Sequence, residues 1–207
     1  DGQLIALDGV AVLDEDAHFR RDLSFPERTD NKKATPREIA ARKIDEEDHR
    51  GVAGKTFLDL DGDIAILTSG GGATMTVIDS LVFYGGQPAN YTEYGGNPPR
   101  EKVQKLTHLV LDKGDVSGLF IAGVIANFTD VANTLKGVLD VLKEKKPGFP
   151  IVIRRAGLND QEAKKEIQRT KEEYGLDIHY FDENTSLSRA AEIMVGLSKE
   201  YKNGNLN

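Results

Sequence analysis

The sequence predicts an α/β protein built on a flavodoxin-like, doubly wound parallel sheet of about five strands. From about residue 55 onward, short apolar runs alternate with amphipathic stretches, and the runs recur at intervals of roughly 30 residues, the length of a βαβ unit. Short apolar runs without polar alternation are typical of strands buried on both faces of a parallel sheet. Right-handed crossovers between such strands produce a doubly wound sheet.

The expected elements follow in chain order. Strands are predicted at residues 64–67, 89–91, 118–122, 151–153 and 178–181, and helices are predicted to begin near Ala73, Pro99, Asp130, Asp160 and Ser186. An earlier helix is predicted to begin at Thr35, with Pro36 at its first position and Glu38 at its third, which is the pattern of a capping box. It is expected to run to about His49 and to stop at Gly51.

Composition excludes several classes of function. The 207 residues are 39% hydrophobic and 29% charged, as in an ordinary globular protein. A net charge of −7 without a basic block argues against nucleic-acid binding. The sequence has no cysteine, which excludes disulfides and thiolate chemistry, and no apolar stretch long enough to span a membrane. We therefore expect a cytoplasmic protein, and the abrupt strand-like beginning suggests a fragment of a longer polypeptide.

Ligands of an open parallel sheet bind where the carboxyl ends of strands turn into helices. The first such turn contains Gly70, Gly71 and Gly72, whose backbone amides can approach an anion at a helix N-terminus. These glycines can also serve a tight turn alone. As a dinucleotide motif they are weak, because Met75 stands at the third glycine position, although Glu93 follows at about the distance of a ribose-binding acid.

Two later turns strengthen the prediction of an anion site. In residues 121–129, Asn127 and Thr129 can either cap the following helix or direct polar atoms at a bound oxyanion, and Asp130 would complement the helix dipole. Arg154 and Arg155 end a buried strand, where alternation sends them to opposite faces. One is expected to reach a surface carboxylate and the other to point into the crevice, since the planar guanidinium binds both carboxylate oxygens. A structural ion pair is the alternative.

Five segments resemble a known family. Residues 85–91 are similar to the GGEPANF motif of succinyl-CoA synthetase β subunits. Residues 70–73, 89–94, 125–132 and 154–159 resemble the ATP-citrate lyase family more closely, and the 125–132 string distinguishes that branch from the succinate branch. The resemblance extends over essentially the whole chain and identifies it as a member of the acid–CoA ligase superfamily.

The resemblance implies a domain organisation and a set of binding residues. Residues 1–22 would be the end of an ATP-grasp domain, residues 23–54 a linker with a helix, and residues 55–203 a flavodoxin-like, carboxylate-binding ligase domain. Asp8, which with Gly9 would otherwise indicate a hairpin turn, becomes an expected magnesium ligand. The expected citrate-binding residues are Gly71, Gly72, Gly123, Val124, Ala126, Asn127, Thr129 and Arg155. Animal citrate lyases have a serine at the position of Val124, so one hydroxyl group is absent here.

The chemistry that the resemblance implies is a phosphoryl relay that uses ATP, Mg²⁺ and CoA. ATP phosphorylates a histidine, the phosphate passes to a carboxylate of citrate, and the CoA thiolate displaces it to form citryl-CoA. In the family, the phosphorylated histidine lies in a glycine-rich loop. This chain has four histidines, His18, His49, His108 and His179, and none of them lies in such a loop. The phosphohistidine is therefore expected on a CoA-binding partner subunit or region of a hetero- or homo-oligomer, and no catalytic residue is expected on this chain.

Other functions remain open from the sequence. The acid could be succinate or malate, which would make the chain the β subunit of an ADP-forming ligase. A non-catalytic nucleotide-binding domain or an assembly domain is the alternative from a different class.

Overall fold

The computed structural model describes Gly2, Asp8 and residues 34–204. The chain divides into two compact units, residues 1–33 and residues 34–207, and the helices and strands given below all belong to the second unit. They are α1 (Pro36–Glu47), β1 (Leu58–Asp59), β2 (Ile64–Ser69), α2 (Gly71–Phe83), β3 (Asn90–Tyr91), β4 (Glu93–Tyr94), α3 (Arg100–Leu111), β5 (Gly118–Gly123), α4 (Val131–Lys145), β6 (Ile151–Arg154), α5 (Asp160–Tyr174), β7 (Ile178–Phe181) and α6 (Leu187–Gly204).

The structure confirms the predicted flavodoxin-like sheet. Five strands form one sheet in the order β4-β2-β5-β6-β7, and every neighbouring pair is parallel. Counted within this sheet alone the order is 2-1-3-4-5, as in flavodoxin-like folds. Strands β1 and β3 form a separate two-stranded antiparallel sheet. No helix in the part of the chain that the structure describes is long and apolar enough to cross a membrane.

Helices cover both faces of the sheet, which explains the uninterrupted apolar runs. Every residue of β2, β5 and β6 is buried. Successive side chains enter different cores, because Leu67 and Ile121 pack with residues of α1, α3, α4 and α5, whereas Ile66 and Phe120 pack with residues of α2 and α6. The alternation of strand side chains thus divides one apolar run between two cores.

The predicted strand at residues 89–91 is only partly correct. Asn90 and Tyr91 pair with β1, and the segment that joins the parallel sheet as β4 begins at Glu93. The cause is the Asn90 side chain, whose Oδ1 accepts from the Ile66 amide at 3.0 Å and whose Nδ2 donates to the Ile66 carbonyl at 2.9 Å. This side-chain amide takes the place of backbone pairing beside β2, so the edge strand is interrupted.

Helix α1 has the predicted capping box. The Thr35 hydroxyl accepts from the Glu38 amide at 3.1 Å, and the Thr35 amide donates to Glu38 Oε2 at 2.9 Å. The helix ends at Glu47 rather than at about His49. Its buried residues Ala41 and Ile44 lie in the same core as α3. We predicted a linker at residues 23–54, which contains α1, and a ligase domain from residue 55; in the structure α1 lies in the compact unit that begins at Ala34.

A buried ion pair joins α1 to α3 and to the loop that follows α1. The Lys102 ammonium lies 2.6 Å from Asp45 Oδ1, and its side chain is 1% exposed. Lys102 also donates to the carbonyls of Asp48, Arg50 and Gly51. The Asp45 carboxylate accepts from the amides of residues 53, 54 and 55, so a single pair holds the loop after α1 against α3.

Candidate functional site

A cavity of about 290 Å³ opens at the carboxyl ends of β2, β4 and β5. Its position is the topological switch point, where the connections that follow neighbouring strands leave in opposite directions. The lining consists of Ser69, Gly70, Glu93, Gly95, Gly96 and residues 124–129. The volume is at the lower end for ligand pockets and suits a small metabolite. A larger groove of about 430 Å³ between α1 and α3 lies away from this edge of the sheet.

The glycine turn places the N-terminus of α2 beside the cavity. Gly70 has a φ of 95° and precedes the helix without a side-chain cap, so the first amides of α2 keep their hydrogen-bonding capacity for a ligand. Gly70 lines the cavity, while the predicted ligands Gly71 and Gly72 are the first residues of the helix itself. The positive end of α2 therefore faces the cavity from the β2 side.

The loop after β5 is arranged differently from the simple strand-to-helix turn that we predicted. Helix α4 begins at Val131 and is capped by Asp130, whose carboxylate accepts from the Asn133 amide at 2.8 Å. Asn127 and Thr129 therefore do not cap α4. They lie before the cap, in the cavity lining, together with Val124 and Ala126.

Hydrogen bonds to neighbouring loops fix the loop after β5. One of them occupies the amide of Ala126, which we had predicted to bind the ligand. Ala126 donates to the Ala156 carbonyl at 2.9 Å and accepts from the Leu158 amide at 3.1 Å. The Asp130 amide donates to Asn97 Oδ1 at 2.9 Å. Within residues 34–204, no hydrogen bond takes the amides of residues 127, 128 and 129. These three amides are the donors that the loop can offer to an anion.

Arg155 is fully buried behind the end of β5 and is not among the residues that line the cavity. The residue is 0% exposed, and among the described residues Nε, Nη1 and Nη2 have no hydrogen-bond partner. A Cβ on Gly123 would overlap Arg155 Nη1, so the guanidinium lies directly against the end of β5. On its other side, Cζ lies 5.8 Å from the centre of the Tyr94 ring, within the range of a cation–π contact.

Arg154 has a structural role instead. Its Nη1 donates to the Gly123 carbonyl and its Nε to the Thr185 carbonyl, both at 2.8 Å. Burial lowers the pKa of Arg154, and the positive charge of Arg155 lowers it further. We expected one arginine to reach a surface carboxylate, but in the described part of the chain no carboxylate forms an ion pair with either. Arg154 ties the end of β5 to the loop before α6.

Tyr180 fixes the backbone of Arg155. Its hydroxyl donates to the Arg155 carbonyl at 2.9 Å. Burial, with the negative charges of Asp160, Asp182 and Glu183, raises the pKa of Tyr180 to about 12. The hydroxyl thus stays protonated and continues to donate at neutral pH.

These features together suit an oxyanion. Removing a guanidinium from water without a partner costs several kcal/mol, and its five donors match the two oxygens of a carboxylate. Sequence reasoning missed Tyr94 as a neighbour of Arg155, and it considered Glu93 only as a ribose-binding acid. Both follow the predicted strand at residues 89–91, so the rule that sites lie at strand carboxyl ends selects their turn, but no pattern in the sequence shows that Arg155 packs beside Tyr94.

The predicted magnesium ligand, Asp8, is exposed, and most of the neighbouring residues 1–33 lie outside the described residues. In the described part of the chain, no group of three His, Asp or Glu side chains could hold a metal ion. His49, His108 and His179 do not line the cavity, and His18 lies outside the described residues.

Comparison with known proteins identifies the family. A model of the ATP citrate lyase citrate-binding family matches residues 32–197. The chain therefore belongs to this family, which confirms the resemblance found in the motifs.

The curated relatives include β subunits of succinate–CoA ligases. The succinate–CoA ligase [ADP-forming] β subunit of Desulfurococcus amylolyticus is 29% identical over 197 residues, which cover 95% of this chain and 48% of that protein. That of Staphylococcus epidermidis is 30% identical over 200 residues, with 97% and 47% covered. The chain thus spans about half the length of these curated relatives.

Solved structures of ATP citrate lyase have the same fold. The Methanosaeta concilii enzyme (D541A mutant) in complex with (3S)-citryl-CoA has a TM-score of 0.73 and 28% identity, over 87% of this chain and 49% of that one. The Methanothrix soehngenii enzyme in complex with citrate and coenzyme A has a TM-score of 0.73 and 27% identity, over 89% and 52%.

Proposed function

We propose that this chain is the carboxylate-binding domain of an ATP-dependent acid–CoA ligase and that citrate binds in the switch-point cavity. The buried, unpaired guanidinium of Arg155 carries this proposal. A ligand carboxylate would provide the acceptor that this guanidinium lacks, and each charge-assisted hydrogen bond contributes about 1.5–3 kcal/mol. The family match and the solved ATP citrate lyase in complex with citrate and coenzyme A support the choice of citrate.

Each side of the cavity has a role in this proposal. The guanidinium of Arg155 lies behind Gly123 rather than in the cavity lining, and we place one ligand carboxylate against it at the end of β5. The open N-terminus of α2 offers amides beyond Gly70. The amides of residues 127–129 offer further donors. Fixed donors of this kind hold together negative groups that repel one another in water, and they require little reorganisation when the ligand reacts.

The remaining groups of the reaction lie mostly outside residues 34–204 in this proposal. We place ATP, Mg²⁺, CoA and the phosphohistidine largely on a partner subunit or region, with Asp8 as one metal ligand. The rim of the cavity exposes Val124, Ile125 and Phe128 by 51%, 57% and 67%. An exposed apolar rim of this kind suits a covering protein surface, which would bring the histidine to the bound acid and exclude water.

Calorimetric titration of the full chain with citrate tests the proposal. We expect the wild-type chain to bind citrate and the Arg155→Met variant to bind at least about 10-fold more weakly, a loss of about 1.4 kcal/mol or more. The same variant should unfold at an equal or higher denaturant concentration, because it removes an uncompensated buried charge. A purely structural arginine would show the opposite change in stability.

The matched control is Arg169→Met on α5, where the guanidinium is 68% exposed and pairs with Glu166 and Glu173. It should leave citrate binding unchanged. Citrate affinity of Arg155→Met equal to that of the wild type would contradict the proposal, as would a wild-type chain that binds no citrate.

The second candidate is an ADP-forming succinate–CoA ligase, which the names of the curated relatives favour. It uses the same cavity and the same arginine. Tighter binding of succinate than of citrate in parallel titrations would select it.

A further inference from the structure

The carboxylate of Glu93 lines the cavity and has no hydrogen-bond or ion-pair partner among residues 34–204. Glu93 begins β4, is half-buried and lines the cavity. Its Oε2 lies 3.1 Å from the position of a Cβ on Gly71, next to the first turn of α2. Within residues 34–204 no hydrogen bond or ion pair involves this carboxylate, since the one bond recorded for Glu93 uses its carbonyl.

An ionised carboxylate restricts what can lie against it. It accepts hydrogen bonds and donates none, and it repels the carboxylates of a bound acid. The ligand group beside Glu93 must therefore be a donor, either an alcohol or an ammonium. The positive end of α2 and the guanidinium of Arg155 disfavour a second cation, which leaves an alcohol.

We propose that Glu93 accepts a hydrogen bond from the hydroxyl group of the bound acid, so that the cavity selects hydroxy acids over acids that lack this group. This inference rests on the proposed function, and it names the feature of the acid that is read. The donors around Arg155 and α2 recognise carboxylates in general, and succinate and citrate both have these. Glu93 is the one acceptor side chain in the described lining that carries a charge. By accepting from the hydroxyl group of citrate, it would distinguish citrate from succinate.

Two pairs of acids that differ only in one hydroxyl group give the test. They are citrate with propane-1,2,3-tricarboxylate and malate with succinate, each titrated calorimetrically into the full chain. In the wild type we expect the hydroxy acid of each pair to bind about 10- to 100-fold more tightly, because the acid without the hydroxyl leaves Glu93 unpaired beside its own carboxylates.

Substitutions assign the preference to this residue. Glu93→Ala should bind both members of a pair equally, with the affinity for propane-1,2,3-tricarboxylate equal to or above that of the wild type, because a repulsion is removed. Glu93→Gln keeps an acceptor oxygen and should retain part of the preference. Asp79→Ala removes an exposed carboxylate of α2 outside the lining and should change neither affinity.

Several outcomes would overturn the inference. Equal affinity of the wild type for both members of each pair would do so, as would an undiminished preference in Glu93→Ala. Binding of AMP or NAD that depends on Glu93, with no preference among the acids, would assign the carboxylate to a ribose hydroxyl instead. In the first two cases Arg155-dependent citrate binding would still stand. If no acid binds at all, the proposed function fails with it.

Discussion

The absence of a Cβ at Gly123 leaves the space in which the guanidinium of Arg155 lies. A Cβ at this position would overlap Arg155 Nη1 and come within 2.9 Å of the Ser69 carbonyl oxygen. Its φ is not positive, so the requirement for glycine arises from close approach rather than from backbone conformation. The end of β5 therefore has no side chain at Gly123, where the side chain of Arg155, the residue after β6, passes beneath it.

The Gly123→Ala variant should therefore weaken citrate binding by displacing the guanidinium. We expect a loss of at least about 10-fold in affinity and a loss of about 1–3 kcal/mol in the free energy of unfolding from overpacking, measured by calorimetry and by urea denaturation. Gly196→Ala in α6, where nothing lies within 4 Å of the added Cβ, is the control and should stabilise slightly. Unchanged citrate affinity in Gly123→Ala would show that Arg155 does not act through this position.

Part of the site was predictable at this scale. Strand alternation predicted that one of Arg154 and Arg155 points into the crevice, and the family resemblance selected Arg155. The absence of any partner for Arg155 and the ring of Tyr94 beside it depend on β4, which is far away in sequence. The local sequence pattern thus predicts an arginine at this site. Only the packing of strands that are distant in sequence shows that the guanidinium of Arg155 has no partner among the described residues.

At the scale of elements, periodic segments were predicted well and connections were not. The strands β2, β5, β6 and β7 and all six helices begin within a few residues of their expected positions, because burial imposes a regular pattern on long segments. The edge strand was misplaced since a side chain, Asn90, substitutes for the backbone there. The cap of α4 was misplaced because the loop before it is fixed by bonds to residues 97, 156 and 158.

The pair of Asp45 and Lys102 predicts how the domain responds to acid. Burial raises the pKa of Asp45, but the hydrogen bonds from Lys102 and from the amides of Lys55, Ala53 and Gly54 outweigh it and lower the pKa overall. The folded pKa thus lies below the unfolded value of about 3.9. The stabilisation from this carboxylate is fully present above that value and is lost as the pH falls through the folded pKa.

We expect Asp45→Asn to lower the free energy of unfolding by about 1–3 kcal/mol at pH 7, because it leaves the buried Lys102 without its counter-charge. The difference from the wild type should shrink below about pH 4, as measured by urea denaturation across the pH range. Asp61→Asn, which removes an exposed carboxylate, should change stability by less than about 0.5 kcal/mol. A difference between Asp45→Asn and the wild type that is constant from pH 7 to pH 3 would rule out this account.

At the scale of the whole molecule, the order of strands is what creates the site. The chain goes from β2 to one neighbour and then crosses to the other, and the cavity forms where these connections separate. Alternating strands and helices predicted this class of sheet, and the family motifs placed the ligand at this edge. The beginning of the domain was not predictable from composition, because α1 is polar over most of its surface and has only Ala41 and Ile44 buried.

Shortened chains that begin at Ala34 or at Lys55 test whether α1 belongs to the folded domain. A chain that begins at Ala34 retains α1, the buried Ala41 and Ile44, and the Asp45–Lys102 pair, so we expect it to unfold in one cooperative transition and to bind citrate. A chain that begins at Lys55 keeps the whole of the parallel sheet but leaves the buried ammonium of Lys102 without Asp45 and without the carbonyls of residues 48, 50 and 51. Loss of one partner from a buried pair costs about 3–5 kcal/mol, and the exposed core adds to this cost.

Urea denaturation of the two shortened chains, followed by fluorescence of their tyrosines and by circular dichroism, measures the difference directly. The domain beginning at Lys55 should be less stable by at least about 3 kcal/mol or fail to fold. Lys102→Met in that shorter chain provides the decisive control, because it removes the unpaired charge and should recover part of the lost stability. Equal stability of the two chains would show that α1 is a linker helix, as its composition suggests, and that the core of this domain closes without it.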